Sequence, residues 1–144
     1  MIGRCATVAA VVLYVAACSS GDPIAVTDAW VRMPAPGMGV AAGYFNITNR
    51  GPVPVDLVDA RTDTAESVQM HAESHAGDMM QMRRLSAVTL PPGETVSFAP
   101  GGTHLMLLGF TAVTSPAIPI TLRFSDGSQR VVEFETRALT GAPQ

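Results

Sequence analysis

All three histidines of this chain, His71, His75 and His104, fall between residues 70 and 106, together with five of its eight methionines: Met70, Met79, Met80, Met82 and Met106. An imidazole nitrogen and a thioether sulfur are uncharged donors on the soft side of the scale, and the metal they jointly select is Cu(I). Thioethers have no proton to lose and are poor partners for Zn(II), Mg(II) or Ca(II). The segment is therefore a candidate site for one copper(I) ion.

Spacing narrows the donor set. His104 and Met106 are two apart in an apolar run, so on a strand both side chains leave the same face. His71 and Met82 are placed symmetrically about Ala76-Gly77, and a hairpin turning there sets them across from one another. Two such pairs from neighbouring hairpin regions can converge as two nitrogens and two sulfurs. Pro100-Gly101-Gly102 lets the backbone turn sharply into His104. Four neutral ligands leave the ion's charge uncompensated, which favours a partly exposed location. Met80 shares the parity of Met82 and could replace it, while His75, read as a loop residue, is open between solvent and an auxiliary ligand. Met70 has the parity of Val68 and reads as core, and Met33 and Met38 read as packing.

The elements that must carry these residues read as strands. Ile24, Val26 and Trp30 suggest a first strand, residues 40–49 a second, and residues 53–60, with Val53, Val55 and Leu57 at alternate positions, a third that Pro54 confines to an edge or a start. Residues 66–71 and 79–85 flank Gly77-Asp78 as a hairpin, with a bulge expected because Leu85 and Arg83 would otherwise both turn inward. Ile118, Ile120, Leu122 and Phe124 alternate strictly, turn at Asp126-Gly127 and return through Val132 and Phe134. No helix-period segment follows residue 18, so the expected fold is all-β, a sandwich or barrel of about seven to nine short strands.

Residues 1–18 carry one positive charge at Arg4 and an apolar run too short to span a bilayer comfortably, the pattern of an export signal. Val15-Ala16-Ala17-Cys18 followed by Ser19-Ser20-Gly21 resembles the lipobox of bacterial lipoprotein signals, which implies acylation of Cys18 and retention at a membrane surface. The alternative is ordinary cleavage after Ala17. With Cys5 removed and Cys18 lipidated, the mature domain has no free thiol and no disulfide. The expected organisation is a signal at 1–18, a linker at 19–23, a copper-binding β-barrel at 24–137 and a disordered tail at 138–144. A net charge of -3 offers no basic field for nucleic acid.

At this point the chain resembles the periplasmic copper chaperone family PCu(A)C, whose signature is His, ten residues, Met, twenty-one residues, His, one residue, Met. His71, Met82, His104 and Met106 satisfy every interval. The likeness extends to Asp28-Ala29-Trp30, Gly43-Tyr44, Asn49-Arg50-Gly51, Pro92-Gly93 and the run 100–106. It implies a cupredoxin-like Greek-key barrel with an exposed Cu(I) site. It also implies copper supply to the binuclear CuA centre of cytochrome c oxidase, alongside Sco-type thiol proteins. The chain departs from many relatives in its lipid anchor, and its end, RALTGAPQ, lacks the His/Met-rich extension that gives some relatives a second site.

Copper sequestration is the competing function, and the sequence does not separate it from delivery. Electron transfer of the blue-copper kind needs a cysteine thiolate, which the mature domain lacks. No Ser/His/Asp, Cys/His or paired-carboxylate arrangement is legible, so an enzyme is not expected.

Overall fold

The computed structural model describes residues 22–77 and 79–138. The signal at 1–18 with Cys18, linker residues 19–21 and the tail from 139 lie outside the described residues. Ten strands follow one another: β1 (Ile24–Arg32), β2 (Val40–Asn49), β3 (Val55–Arg61), β4 (Ser67–Ala76), β5 (Met79–Leu85), β6 (Val88–Leu90), β7 (Thr95–Phe98), β8 (Thr103–Leu108), β9 (Ala117–Phe124) and β10 (Gln129–Arg137). Among the described residues there is no helix. The all-β, cupredoxin-like class therefore holds, with ten strands where turn signals suggested seven to nine.

The strands form one sheet in the order β5-β4-β8-β2-β1-β10-β9-β3-β6, with β7 also on β2. It curls until β3 comes alongside β4. Every pairing is antiparallel except β1 with β10. β2 is shared along its length: residues 40–43 pair with β8 and residues 45–48 with β7. The turn joining β7 to β8 uses Gly101 at φ 78 and a bond from the Gly102 N–H to the Ala99 carbonyl. This is the sharp entry into His104 that Pro100-Gly101-Gly102 suggested.

The core lies inside the curl. Ile118, Ile120, Leu122 and Phe124 are all buried, as strict alternation requires. Phe45 stacks on Phe98 with centroids 4.3 Å apart and meets Phe134 edge-on at 5.5 Å, aromatic contacts worth about 0.5–1.5 kcal/mol beyond burial. Pro54 stands one residue ahead of β3, where no ladder donor is lost.

Several residues shared with the resembled family have structural work. Asn49 is buried; its amide donates to the Val53 and Leu90 carbonyls at 2.8 and 2.9 Å, and its oxygen accepts from the Gly51 N–H at 2.9 Å. Asp28 adopts φ 53 inside a bulge of β1 and accepts from the Asn46 amide at 3.0 Å. Beyond that bulge Trp30 stands opposite Tyr44, ring centroids 4.6 Å apart. A Cβ on Gly43 would sit 3.3 Å from the Leu105 Cβ, so β2 and β8 approach closely only because this residue is glycine.

Candidate metal centre

The site is built on the outer face of β5, β4 and β8. Alternation sends Met70, Leu105 and Leu107 into the core and leaves Gln69, His71, Glu73 and His75 on the other face of β4, with His104 and Met106 on that face of β8. Register completes the arrangement. His71 stands directly opposite His104, and Gln69 opposite Met106. The two imidazoles lie 6.1 Å apart between centroids, with planes tilted by 25°.

Met82 reaches the same face by a different register from the one its spacing suggested. β4 pairs with β5 as Ala76↔Met79, Glu73↔Met82 and His71↔Arg84. Met82 is thus opposite Glu73 and diagonal to His71, not across from it. The strands reverse one position later than Ala76-Gly77, with Gly77 at φ 64 opening the turn. A one-position shift in the turn moves every partner by two, so Met82 keeps its face while losing direct opposition to His71. Diagonal neighbours are about 7–8 Å apart, still within reach of a methionine. The pairing from Met70↔Leu85 to Ala76↔Met79 is uninterrupted, so no bulge is needed. Arg83 and Leu85 share a face, and Arg83 stays in water because β5 is the sheet edge and overhangs the core.

His75 lies on β4 opposite Met80, not in a loop, and both are exposed. They occupy the far end of the hairpin, beyond Glu73 and Met82. Met70 is part of the core, as read, and Met33 is half-buried and packs against that core cluster. Met38 does not pack: it is 63% exposed and lines an open groove of about 610 Å³ with Met80, Met82, His104 and Met106.

The protonation of each imidazole follows from its oxygen partner. His104 Nδ1 lies 3.1 Å from the Gly102 carbonyl, which can only accept, so Nδ1 carries the proton and Nε2 offers its lone pair. His71 Nε2 lies 3.0 Å from Gln69 Oε1, so here Nε2–H donates and Nδ1 is left with the lone pair. That Nδ1 is buried and has no hydrogen-bond partner. A buried nitrogen lone pair without a donor is costly unless something else fills it, and a soft cation fits that requirement. Burial, then the neighbouring His104 and Arg84, push the His71 pKa below the ordinary histidine value and keep the ring neutral.

Burial grades across the donors. His104 is 6% exposed, His71 and Met106 are half-buried, Met82 is 47% exposed and Met80 61%. Among the described residues no three of His, Cys, Asp and Glu cluster as a metal site, so any cage here must include the thioethers. The Tyr44 ring lies 6.3 Å from His104, and the Arg32 guanidinium covers it at 5.5 Å. Burial raises the Tyr44 pKa, with Arg32 opposing and Glu73 adding.

Sequence reasoning passed over Gln69, the Gly102 carbonyl and Glu73. Gln69 carried a usable signal, since it lies two residues from His71 and shares its face. The pairing of His71 with His104 carried none, because it depends on how β4 and β8 meet.

This geometry and topology define a PCuAC-like domain, and known structures agree. The copper-bound PCuAC domain from PmoF2 superposes with a TM-score of 0.69 at 26% identity, covering 81% of this chain and 93% of that one. The solution structure of CuI-DR1885 from Deinococcus radiodurans gives 0.57 at 28% identity, covering 76% and 74%. The chain belongs to the LpqE-like family, whose model, described as "Putative lipoprotein LpqE-like", matches residues 24–136. A relative from Leifsonia xyli subsp. xyli, named "Putative lipoprotein Lxx21020", is 33% identical over 155 residues, covering 96% of this chain and 92% of that protein.

Proposed function

We propose that this protein is a copper(I) metallochaperone of the cell envelope. It holds one ion between His71 Nδ1, His104 Nε2 and the sulfurs of Met82 and Met106, and releases it to a recipient by ligand exchange. The observation that carries this reading is the facing pair of imidazoles, each with one ring nitrogen held by an oxygen and the other without a hydrogen-bond partner among the described residues, on a face shared with two thioethers. The copper-bound PmoF2 domain and CuI-DR1885, both similar to this chain, support copper as the cargo.

The recipient in this proposal is the CuA centre of cytochrome c oxidase, with a Sco-type thiol protein as accessory. Anchoring through Cys18 to the outer face of a bacterial membrane would hold the site beside that target; membership of a lipoprotein-named family supports the anchor. No helix of the described residues is long and apolar enough to cross a membrane.

The test is anaerobic Cu(I) titration of the mature domain against a chromophoric chelator. One tightly held equivalent is the expected result, and failure to compete removes the proposal. Delivery and sequestration separate in a deletion strain. Delivery predicts oxidase activity lost at low copper and restored by added copper, whereas sequestration predicts copper sensitivity with the oxidase intact.

A further inference from the structure

We infer that the tip of the β4–β5 hairpin is a second, weaker Cu(I) position, formed by His75 and Met80 with Met82 shared, through which the ion enters and leaves the inner site. The inference rests on the copper reading of the inner four residues and adds a route to it.

Three features point there. First, His75 and Met80 are direct cross-strand partners, so their side chains leave the same face side by side. Second, Met82 stands opposite Glu73, and Glu73 lies midway between His71 and His75 on β4. Met82 is therefore diagonal to both histidines. His71 and His75 are four residues apart, about 13 Å along a strand; Met82 divides that distance into two spans a methionine can bridge. Third, the two methionines are largely in water: Met80 and Met82 are 61% and 47% exposed. A methionine placed only for packing would be buried, as Met70 is. Exposure instead falls from Met80 through Met82 to His104, so an ion moving inward exchanges water for protein ligands step by step.

The transfer needs no proton, electron or co-reactant. Cu(I) bound by His75, Met80 and Met82 keeps its bond to Met82, gives up His75 and Met80, and gains His71, His104 and Met106. The charge on the ion is unchanged, and thioethers carry no proton to release. Glu73, the one acidic side chain among the described residues of the β4–β5 hairpin, lies beside the track and offsets the positive charge in transit.

The test compares the wild-type domain with His75→Ala, Met80→Leu and the double variant. Their β5 and hairpin-tip positions are exposed, so the fold should tolerate them; circular dichroism checks this. Under anaerobic conditions Cu(I) is supplied as its bicinchoninate complex, and both the equilibrium distribution and the rate of transfer are followed. The expected result is an unchanged first-equivalent affinity with transfer slowed about tenfold in the double variant, or about 1.4 kcal/mol on the barrier. In wild type a second equivalent should shift the His75 ring proton and Met80 methyl resonances, and the double variant should not bind it. Equal transfer rates in wild type and double variant, or a second equivalent that leaves both resonances in place, would overturn the inference while leaving the inner site standing. A double variant that loses first-equivalent affinity would also overturn it, because His75 and Met80 would then belong to the inner cage. Absence of first-equivalent binding in wild type would remove the inner site and the relay together.

Discussion

Replacing Met106 by Leu isolates the contribution of one sulfur. Met106 is half-buried on β8, opposite Gln69 on one side and Ala42 on the other, and its side chain leaves the face that carries the imidazole pair. Leucine preserves bulk and apolarity, and exchanges of this kind usually cost less than about 1.5 kcal/mol of stability; partial exposure places this one toward the low end. Losing even an outer partner of a metal ligand costs about 10–100-fold in affinity. A direct donor in a cage of four should exceed that range, so Met106→Leu is expected to weaken Cu(I) binding by at least about 100-fold, or nearly 3 kcal/mol. Competition against a chromophoric Cu(I) chelator under argon measures the affinity, and thermal unfolding of the apo domain measures the scaffold. An affinity within about threefold of wild type, under 0.7 kcal/mol, would show that Met106 is not a ligand. A large drop in apo stability would instead make it a core residue.

Three other perturbations test the supports of the site. Gln69→Leu removes the acceptor that holds His71 Nε2–H and should lower Cu(I) affinity about 10–100-fold with apo stability little changed; unchanged affinity would mean that His71 needs no such orientation. Gly43→Ala places a Cβ 3.3 Å from the Leu105 Cβ and should cost about 1–3 kcal/mol in denaturant unfolding, with β8 displaced beneath His104 and Met106. The lowered pKa of His71 makes apo stability pH-dependent: below the ordinary histidine value the unfolded chain takes up a proton that the folded ring refuses, so stability falls as pH drops through about 6.5. His71→Gln should flatten that decline, and an equal slope in both proteins would place the titration elsewhere.

How much of this was legible depended on whether burial enforced the pattern. Residues 118–124 read cleanly because β9 is interior to the sheet and one face of it is core, so every second residue had to be apolar. β5 read poorly because six of its seven residues are exposed, and a strand that buries almost nothing has no alternation to display. That is why a bulge was expected where the pairing is regular. The turn between β4 and β5 was misplaced by one whole position, which shifts each partner by two and preserves parity, so the face of Met82 came out right. Met38 misled because its neighbours Pro36, Gly37 and Gly39 gave no periodicity by which to judge exposure. The facing of His71 and His104 required β8 to insert between β4 and β2, a long-range pairing that no local signal encodes.

The donor set divides by its position in the sheet, and that division bears on how copper leaves. His71 and His104 sit on β4 and β8, each hydrogen-bonded to a neighbour on both sides, with ring N–H groups fixed by Gln69 and Gly102. These nitrogens are preorganised, so little ordering cost is incurred on binding. Met82 is on the edge strand, paired on one side only and half in water. A thioether there can be displaced by an incoming donor without disturbing the core, whereas displacing His104 would strip a buried imidazole of its partner. In the proposed relay, a recipient approaching along β5 would meet the ion at the exposed edge strand, at Met82, the one donor common to the inner and outer positions. In the proposed cage, affinity and release would thus fall to different strands of one face, which would let it hold copper firmly and still give it up.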